Sequence, residues 1–331
     1  MLASGRRCAN RTASNRFGKK AMRNPLPQKL IIGILICLAA CAPAHSQPDN
    51  QTPGTPHSLD FGYGARINTD GQFGDSALRL AAQMKLDWVA LDFDWASIQP
   101  APETWNEDAA FSNAIRLAHS LKLEILVSIK NPPAWTMTPN GPSVEDTANL
   151  VLTLARQYPN IAALELIPGA NTRAGWNATP DANAYARLFE TVKARAEAEN
   201  PKIYLVAGGL RNTLSYPEDT RDVEFLAQMY AAGLRPAIIG IHLENLAGDP
   251  LDAPAPDTLR HYEEIRAVMT ANGHSDGLLW ITGLSLPAET DQAPWLEQAY
   301  PMMKSQLYLG AVFYSQTHLD ARLLKLIQPN H

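Results

Sequence analysis

Two pairs of ionisable residues are spaced so that each pair shares one face of a β-strand. Asp92 and Asp94 are separated by one residue, and so are His242 and Glu244. Successive side chains of a strand point to opposite faces, so the members of each pair lie side by side. A carboxylate pair can raise one pKa and supply a general acid, and histidine exchanges protons near neutral pH. Both pairs are therefore candidates for acid/base chemistry or for contacts with ligand hydroxyls.

The elements that carry these pairs repeat along the chain. Between residues 59 and 331, short apolar runs alternate with helical patterns, and the runs begin roughly 30 to 40 residues apart. That is the period of a strand followed by a helix, and eight units in succession predict one α/β domain, a single (β/α)8 barrel. A doubly wound sheet is the alternative. The predicted strands are Phe61–Ile67, Trp88–Phe93, Leu123–Ile129, Ile161–Ile167, Ile203–Ala207, Ala237–His242, Leu278–Leu284 and Leu309–Tyr314.

A barrel of this kind brings the chemistry-bearing residues to one end, because its site lies at the C-terminal ends of the strands. Asp92 and Asp94 end the second predicted strand, Asn171 follows the fourth, and His242 and Glu244 end the sixth. The alternative for the aspartates is one interior partner for Lys130 or Arg66 and one rim residue. For His242 the alternative is a hydrogen-bonded rim residue.

Aromatic residues at the same strand ends add a candidate binding surface. Trp135, Trp176 and Tyr314 follow the third, fourth and eighth predicted strands. Aromatic faces stack on the C–H faces of pyranose rings, so the three rings predict a sugar platform, with Asn171 and His242 completing the ligand-binding set. The alternative is packing of loops over the top of the barrel.

The sequence does not favour a metal or a cofactor. The eight histidines show neither H-x-H nor H-E-x-x-H spacing, so we expect no metal site. No glycine-rich phosphate loop follows the first predicted strand, which favours the barrel over the doubly wound sheet. We expect no cofactor. All three cysteines, Cys8, Cys37 and Cys41, precede the predicted barrel, which excludes a disulfide framework there.

Several segments resemble the retaining glycoside hydrolases with (β/α)8 barrels, often called clan A. Trp88-Val89-Ala90 with Trp95 and Ile98-Gln99-Pro100 resembles that clan's second strand, which often reads W-V-R followed by W and I-E-P. Asn131-Pro132-Pro133-Ala134-Trp135 resembles its T-P-x-W segment, Gly208-Gly209-Leu210 its G-G-L, and Ile241-His242 its S-I-H. The resemblance runs in order over most of residues 61–316 and implies a barrel that acts on glycosidic bonds.

The two decisive positions of that family are occupied by glycine. The fourth strand of the clan ends in a motif like E-x-W-N-E-P-N, and Glu165 to Asn171 aligns with it so that Gly169 stands at the acid/base position. The seventh strand ends in a motif like P-I-W-I-T-E, which places Gly283 at the nucleophile. The arginine that supports the clan's nucleophile is replaced by Ala90.

Retaining hydrolysis needs two carboxyl groups about 5 Å apart, and glycine supplies neither. Glu165 lies four residues before Gly169, roughly 13 Å down a strand, so we expect it deep in the barrel and out of reach. The sequence therefore predicts a catalytically inactive barrel that binds carbohydrate or serves as a surface scaffold. The alternative is an active glycoside hydrolase with relocated carboxylates, such as Glu244 with Asp92 or Asp94.

The N-terminus has the features of a bacterial export signal. Basic residues precede an apolar run of twelve residues, 30–41. This run is too short to span a bilayer, which takes about 20 residues, but has the length of a signal-peptide core. Leu38-Ala39-Ala40-Cys41 resembles the lipobox, in which the peptide is cut before a cysteine that receives a diacylglycerol. We therefore predict a signal over residues 1–41, with Met22 as an alternative start, lipidation at Cys41 and a flexible tether over 42–58. The alternative is plain secretion after cleavage behind Ser46.

Charge is distributed unevenly and constrains the partners. The chain has 28 basic and 33 acidic residues, and eight of the basic ones lie within residues 1–41, which contain no acidic residue. The remaining 290 residues therefore carry 20 basic and 33 acidic side chains, a net charge of −13. An acidic body repels phosphate backbones, so we expect no nucleic acid partner. The expected partners are a saccharide and, through the lipid anchor, a membrane.

Overall fold

The computed structural model describes residues 61–69, 74–288 and 290–315. The predicted signal, the lipidation site Cys41 and the tether over 42–58 lie outside the described residues. Among the helices that are described, none combines the length and the apolar character needed to cross a membrane.

Eight parallel strands form a closed barrel in which neighbours in sequence are neighbours in space, and β8 pairs with β1. The fold class predicted from the sequence is confirmed. The strands are β1 (Gly62–Ile67), β2 (Trp88–Asp94), β3 (Glu124–Lys130), β4 (Ala163–Leu166), β5 (Tyr204–Arg211), β6 (Ile238–Leu243), β7 (Leu278–Leu284) and β8 (Leu309–Ser315).

Seven longer helices connect the strands and cover the outside of the barrel. They are α1 (Gly74–Gln83), α2 (Ala109–Ser120), α3 (Val144–Gln157), α4 (Ala182–Glu199), α5 (Asp222–Ala231), α6 (His261–Ala271) and α7 (Gln292–Lys304). Side-chain caps fix several of their first turns. Asp108 accepts a hydrogen bond from the Phe111 backbone N–H at 2.8 Å, and Ser143 accepts one from Asp146 at 3.3 Å.

Alternate residues of each strand face the barrel interior. The interior is apolar near the N-terminal ends of the strands and polar near their C-terminal ends. The apolar part is one cluster of buried residues: Ala90, Leu126, Ala163, Val206, Ile238, Leu278, Trp280, Ala311 and Phe313. Glycines make room for its large rings, because a Cβ at Gly64 would lie 2.6 Å from the Phe313 ring. Two to four residues further along the strands, the inward residues are polar: Arg66, Asp92, Ser128, Glu165, His242, Thr282 and Ser315. The fold therefore concentrates polar groups at the C-terminal mouth.

Most strand ends differ from the sequence-based expectation by one residue, and two of the differences, in β4 and β5, have backbone reasons. β4 ends at Leu166 because Ile167 has φ 55° and Pro168, next in the chain, has no N–H to continue the ladder. β5 continues past Ala207 to Arg211 through a register shift, with Gly208 and Gly209 at φ 94° and 52°. Glycine adopts these left-handed conformations without a Cβ clash.

Candidate functional site

Asp92 lies at the centre of the mouth between two cations. Its Oδ1 accepts a hydrogen bond from Arg66 Nη1, and its Oδ2 lies 2.9 Å from Lys130 Nζ. Burial alone would raise the pKa of Asp92, but the positive charges of Arg66 and Lys130 outweigh it and lower that pKa. Asp92 is therefore held ionised, as the interior partner of both cations.

Asp94 lies near Asp92 but has different partners. Its Oδ1 caps the short helix Trp95–Ile98 by accepting from the Ser97 backbone N–H at 3.1 Å. Its Oδ2 accepts from Asn131 Nδ2 at 2.7 Å. Both oxygens of each aspartate are therefore already bound by donors from other residues.

Glu165 is completely buried just below the mouth. Its Oε2 accepts a hydrogen bond from Ser128 Oγ at 2.5 Å, and its Oε1 accepts one from Thr282 Oγ1. Arg66 Nη2 lies 3.5 Å from Oε2, and His242 Nε2 lies 3.6 Å from Oε1. Burial alone would raise the pKa of Glu165, but His242, Arg66 and the hydrogen bonds lower it to about 2.

Two glycines create the space for that carboxylate. A Cβ at Gly209 would lie 2.6 Å from Glu165 Oε1, and a Cβ at Gly240 would lie 3.0 Å from the same atom. Any side chain at position 209 would therefore displace the carboxylate. The glycines place a buried negative charge directly beneath the residues that line the mouth.

His242 lies between two carboxylates. Its Nε2 faces Glu165, and its Nδ1 lies 3.4 Å from Glu244 Oε1. Burial alone would lower the pKa of His242, but the two carboxylates outweigh it and raise the pKa above its ordinary 6.5. The pKa of Glu244 is lowered to about 2, against the effect of burial, by His242 and by Arg211, whose Nη1 lies 2.5 Å from Oε2.

Gly169 and Gly283, which the sequence resemblance aligns with the two catalytic positions, face this same cluster. A Cβ built on Gly283 would lie 3.1 Å from His242 Cγ, and one built on Gly169 would lie 2.9 Å from Arg211 Nε. Glu244 lies between these two places, because its carboxylate contacts both His242 and Arg211. The polar side chains of β5 and β6 therefore lie where side chains at Gly169 and Gly283 would project.

Three residues of the predicted ligand-binding set are buried in packing. Trp176 is only 1% exposed, and its ring packs beneath Gly141, where a Cβ would lie 2.2 Å from the indole. Tyr314, also 1% exposed, lies on the outward face of β8 and donates its hydroxyl to Gln292 Oε1. Asn171 is fully buried and ties the backbone of Arg211 to that of Thr220. These side chains are not available to a ligand, which corrects that expectation.

Trp135 remains half-buried beside the mouth. Its Nε1 donates to the Gln99 carbonyl at 2.9 Å, and its ring meets Trp95 edge-on with centroids 6.1 Å apart. These contacts fix the orientation of the ring. The three predicted aromatic residues therefore do not form a common platform.

The mouth contains two adjoining cavities, of about 710 and 400 Å³, sizes typical of small-molecule sites. Both are lined by Arg66, Asp92, Lys130 and Ser315. The smaller cavity continues to His242, Glu244, Arg211 and Gly283, and the larger one continues to Asp94, Asp108, Asn245 and Gln292.

The sequence analysis missed Ser128, Thr282 and Ser315, although each lies on the inward face of its strand.

The arrangement favours polar contacts over carboxylate acid catalysis. The pKa values of Asp92, Glu165 and Glu244 are all lowered, so none of the three is a protonated acid at neutral pH. His242 is the group in this cluster whose pKa is raised. Within residues 61–69, 74–288 and 290–315, no cluster of three histidine, cysteine or acidic side chains is arranged to hold a metal ion.

No family model and no curated protein sequence matches the chain, but solved structures match its fold. A family 39 glycoside hydrolase from Bacteroides cellulosilyticus superposes with TM-score 0.61 at 14% identity, covering 81% of this chain, which spans 59% of that structure's length. An endo-β-1,4-glucanase from Xanthomonas axonopodis pv. citri gives 0.55 at 10% identity, over 77% and 88% of the two chains. A mutant Thermotoga maritima Cel5A with cellobiose gives 0.55 at 13% identity, over 82% and 96%. The chain is a (β/α)8 barrel whose structural neighbours are glycoside hydrolases.

Proposed function

We propose that this protein is an exported, lipid-anchored barrel that binds saccharide at its mouth without hydrolysing glycosidic bonds. The observation that carries the proposal is the state of the mouth carboxylates. Asp92, Glu165 and Glu244 are each held ionised by neighbouring cations, and glycine stands at both positions that the sequence resemblance aligns with catalytic carboxylates. Retaining hydrolysis requires one protonated carboxyl, so the chemistry lacks its acid.

The same mouth is suited to binding a polyol. The side chains of Asp92 and Lys130 are 37% and 38% exposed, so a donor and an acceptor are presented together to the cavity. Sugar hydroxyls both donate and accept, and paired charged groups satisfy both roles. Ser315 also lines the cavities, and its Oγ is a buried hydroxyl without a hydrogen-bond partner in the described part of the chain.

The open cavities and the structural neighbours support binding over a purely structural role. The mouth retains about 710 Å³ of space, which is enough to admit a small ligand. Among the neighbours, the Thermotoga structure contains cellobiose and the Xanthomonas protein is an endo-β-1,4-glucanase. Neutral oligosaccharides such as cello-oligosaccharides are therefore reasonable first probes.

Calorimetric titration with cello-, xylo- and manno-hexaose tests the binding proposal. We expect heat of binding for at least one of them, and we expect Asp92→Asn to weaken it, because Asn cannot pair with Arg66 and Lys130 as a charge. Glu145→Gln is the matched control, since Glu145 is an exposed carboxylate that pairs with Arg195 and lines neither mouth cavity. A folded sample that binds no member of a broad glycan panel contradicts the proposal.

One observation favours a second function, an active glycoside hydrolase with relocated groups. His242 has a raised pKa and lies 3.4 Å from an ionised carboxylate, Glu244, in the wall of the smaller cavity. An imidazolium can donate a proton, and Glu244 or Asp92 can act as base or nucleophile. Activity on an aryl-glycoside panel that disappears in Glu244→Gln supports this function, and inactivity of the wild type on the whole panel removes it.

The anchor is part of the proposal and rests on the sequence. The segment ending in Cys41 matches a lipobox directly after the apolar run. A single acyl chain binds a membrane weakly, so stable anchoring requires the two or three chains that this modification supplies. Wild-type protein should partition into the detergent phase, and Cys41→Ala should not. A mature N-terminus at Gln47, found by mass spectrometry, contradicts lipidation and supports plain secretion.

A further inference from the structure

A third cavity lies beside the mouth and carries an exposed tryptophan. It holds about 470 Å³ between the segment that follows β2 and helices α2 and α3. Trp105 is 45% exposed at its edge, above a floor that includes Phe93, Phe111 and Tyr158. A single exposed aromatic residue is ordinary on a protein surface. An exposed indole at the edge of a cavity presents a face on which a sugar ring can stack.

This side cavity adjoins the mouth through Asp108. Asp108 lines both the side cavity and the larger mouth cavity, and its side chain is fixed by capping α2. The larger mouth cavity in turn shares Arg66, Asp92 and Lys130 with the smaller one. The three cavities are therefore neighbours: the mouth cavities share Arg66, Asp92 and Lys130, and the side cavity borders the larger of them at Asp108.

The segment that holds Trp105 is preorganised. The backbone N–H of Asn106 donates to the Ile98 carbonyl at 2.7 Å, and its Nδ2 donates to the Ser97 carbonyl at 2.7 Å. Gln99 Nε2 donates to the Pro102 carbonyl at 2.9 Å, which ties the same segment from the other side. A ligand that stacks on Trp105 therefore orders little additional chain, which favours affinity.

The charges in the larger mouth cavity and the side cavity select against acidic ligands. The larger mouth cavity is lined by three carboxylates, Asp92, Asp94 and Asp108, against the two cations Arg66 and Lys130. The side cavity is lined by Glu107 and Asp108 and by no lysine or arginine among the described residues. An anionic polymer in these two cavities would meet uncompensated negative charge. A neutral polymer would not.

We propose that the mouth accepts an extended neutral polysaccharide chain, which runs from the Arg66–Asp92–Lys130 centre past Asp108 and stacks one sugar unit on Trp105. The inference rests on the proposed saccharide binding and specifies its ligand. A chain long enough to reach both places gains contacts that a disaccharide at the centre does not make. Binding strength therefore increases with chain length, and the increase depends on Trp105.

Calorimetric titration with di- and hexasaccharides tests this inference. For the hexaose series that binds wild type, Trp105→Ala should weaken the hexasaccharide by about tenfold, the scale of one lost ring-stacking contact, and leave the disaccharide nearly unchanged. Trp105→Phe should retain most of the hexasaccharide affinity. Leu307→Ala is the matched control, because Leu307 is a 74% exposed hydrophobic residue before β8, at the opposite end of the barrel. Hexagalacturonate should bind more weakly than the neutral hexasaccharide.

The outcomes separate this inference from the function on which it rests. An unchanged hexasaccharide affinity in Trp105→Ala, or an equal loss for both chain lengths, overturns the inference and leaves saccharide binding standing. Tighter binding of hexagalacturonate than of any neutral chain also overturns it. If wild type binds no saccharide of any length, both the proposed function and the inference fail.

Discussion

Replacing Glu165 by glutamine should destabilise the barrel strongly and in a pH-dependent way. The carboxylate is fully buried and lies within 3.6 Å of both Arg66 and His242. Its pKa falls from the ordinary 4.5 to about 2 on folding, which at about 1.4 kcal/mol per unit corresponds to about 3 kcal/mol. Removing one partner of a buried ion pair typically costs a similar amount, because the other charge stays buried.

The sign of the pH dependence follows from the direction of the shift. The folded-state pKa of Glu165 is depressed, so its contribution is complete above about pH 4.5 and is lost as the pH falls toward 2. Urea unfolding of wild type and Glu165→Gln should therefore differ by about 3 kcal/mol at pH 7 and converge as the pH is lowered. The interaction between Glu165 and His242 lowers the pKa of one group and raises the pKa of the other. It is a single interaction, so its free energy is counted once.

An independent readout follows from the histidine. The pKa of His242 is raised because Glu165 and Glu244 outweigh its burial, so Glu165→Gln should lower that pKa, as measured by NMR titration of the imidazole. Glu145→Gln is the control, and the exposed Glu145–Arg195 pair should contribute little to stability. A loss of less than about 0.5 kcal/mol at pH 7, with an unchanged His242 pKa, would refute this account of the buried cluster.

The other predictions concern the mouth. Gly169→Ala should destabilise the protein by about 1–2 kcal/mol more than Gly283→Ala in thermal unfolding, because Gly169 has φ 78° and a Cβ there would meet Arg211, whereas Gly283 lacks the positive φ. Equal losses would contradict that reasoning. Lys130→Met should weaken saccharide binding by about tenfold in calorimetry, since it removes a half-exposed charged donor beside Asp92. Unchanged affinity would place the ligand elsewhere.

The barrel was predictable because its strands are strongly marked. Eight apolar runs at βα spacing identified eight strands, and the predicted bounds of the seventh, Leu278–Leu284, match the structure. The bounds failed where individual backbone conformations decide them. The residue type of Ile167 does not predict its φ of 55°. The two glycines after Ala207 suggest a turn, but in the structure they are part of a bulged strand.

The site was predictable only where its residues are chemically conspicuous. The interior pairing of Asp92 with Arg66 and Lys130 was one of the open interpretations and is what the structure contains. Ser128 and Thr282 were missed because a small hydroxyl residue in a strand looks neutral until its buried partner, Glu165, is known. A test of alternate positions along each strand, i and i+2, would have placed both on the inward face.

The aromatic residues were misassigned for a related reason. Their position after a strand indicated the mouth, but strand phase and loop packing decide where a ring lies. Tyr314 falls on the outward face of β8, one residue before the inward Ser315. Trp176 is covered by Gly141 of a neighbouring loop, an approach that the sequence does not reveal. Trp105, by contrast, is not among the predicted binding residues, but its ring is exposed at the edge of the side cavity.

Binding of a saccharide chain at the mouth and the absence of cleavage can be tested together in one experiment. A neutral hexasaccharide is held with a saturating amount of the protein, and the bound fraction and the chromatographic profile of products are followed in the same sample over days. The account predicts a stable bound fraction, reduced in Asp92→Asn, and no shorter oligosaccharides. Accumulation of shorter oligosaccharides with wild type, absent with Glu244→Gln, would contradict it.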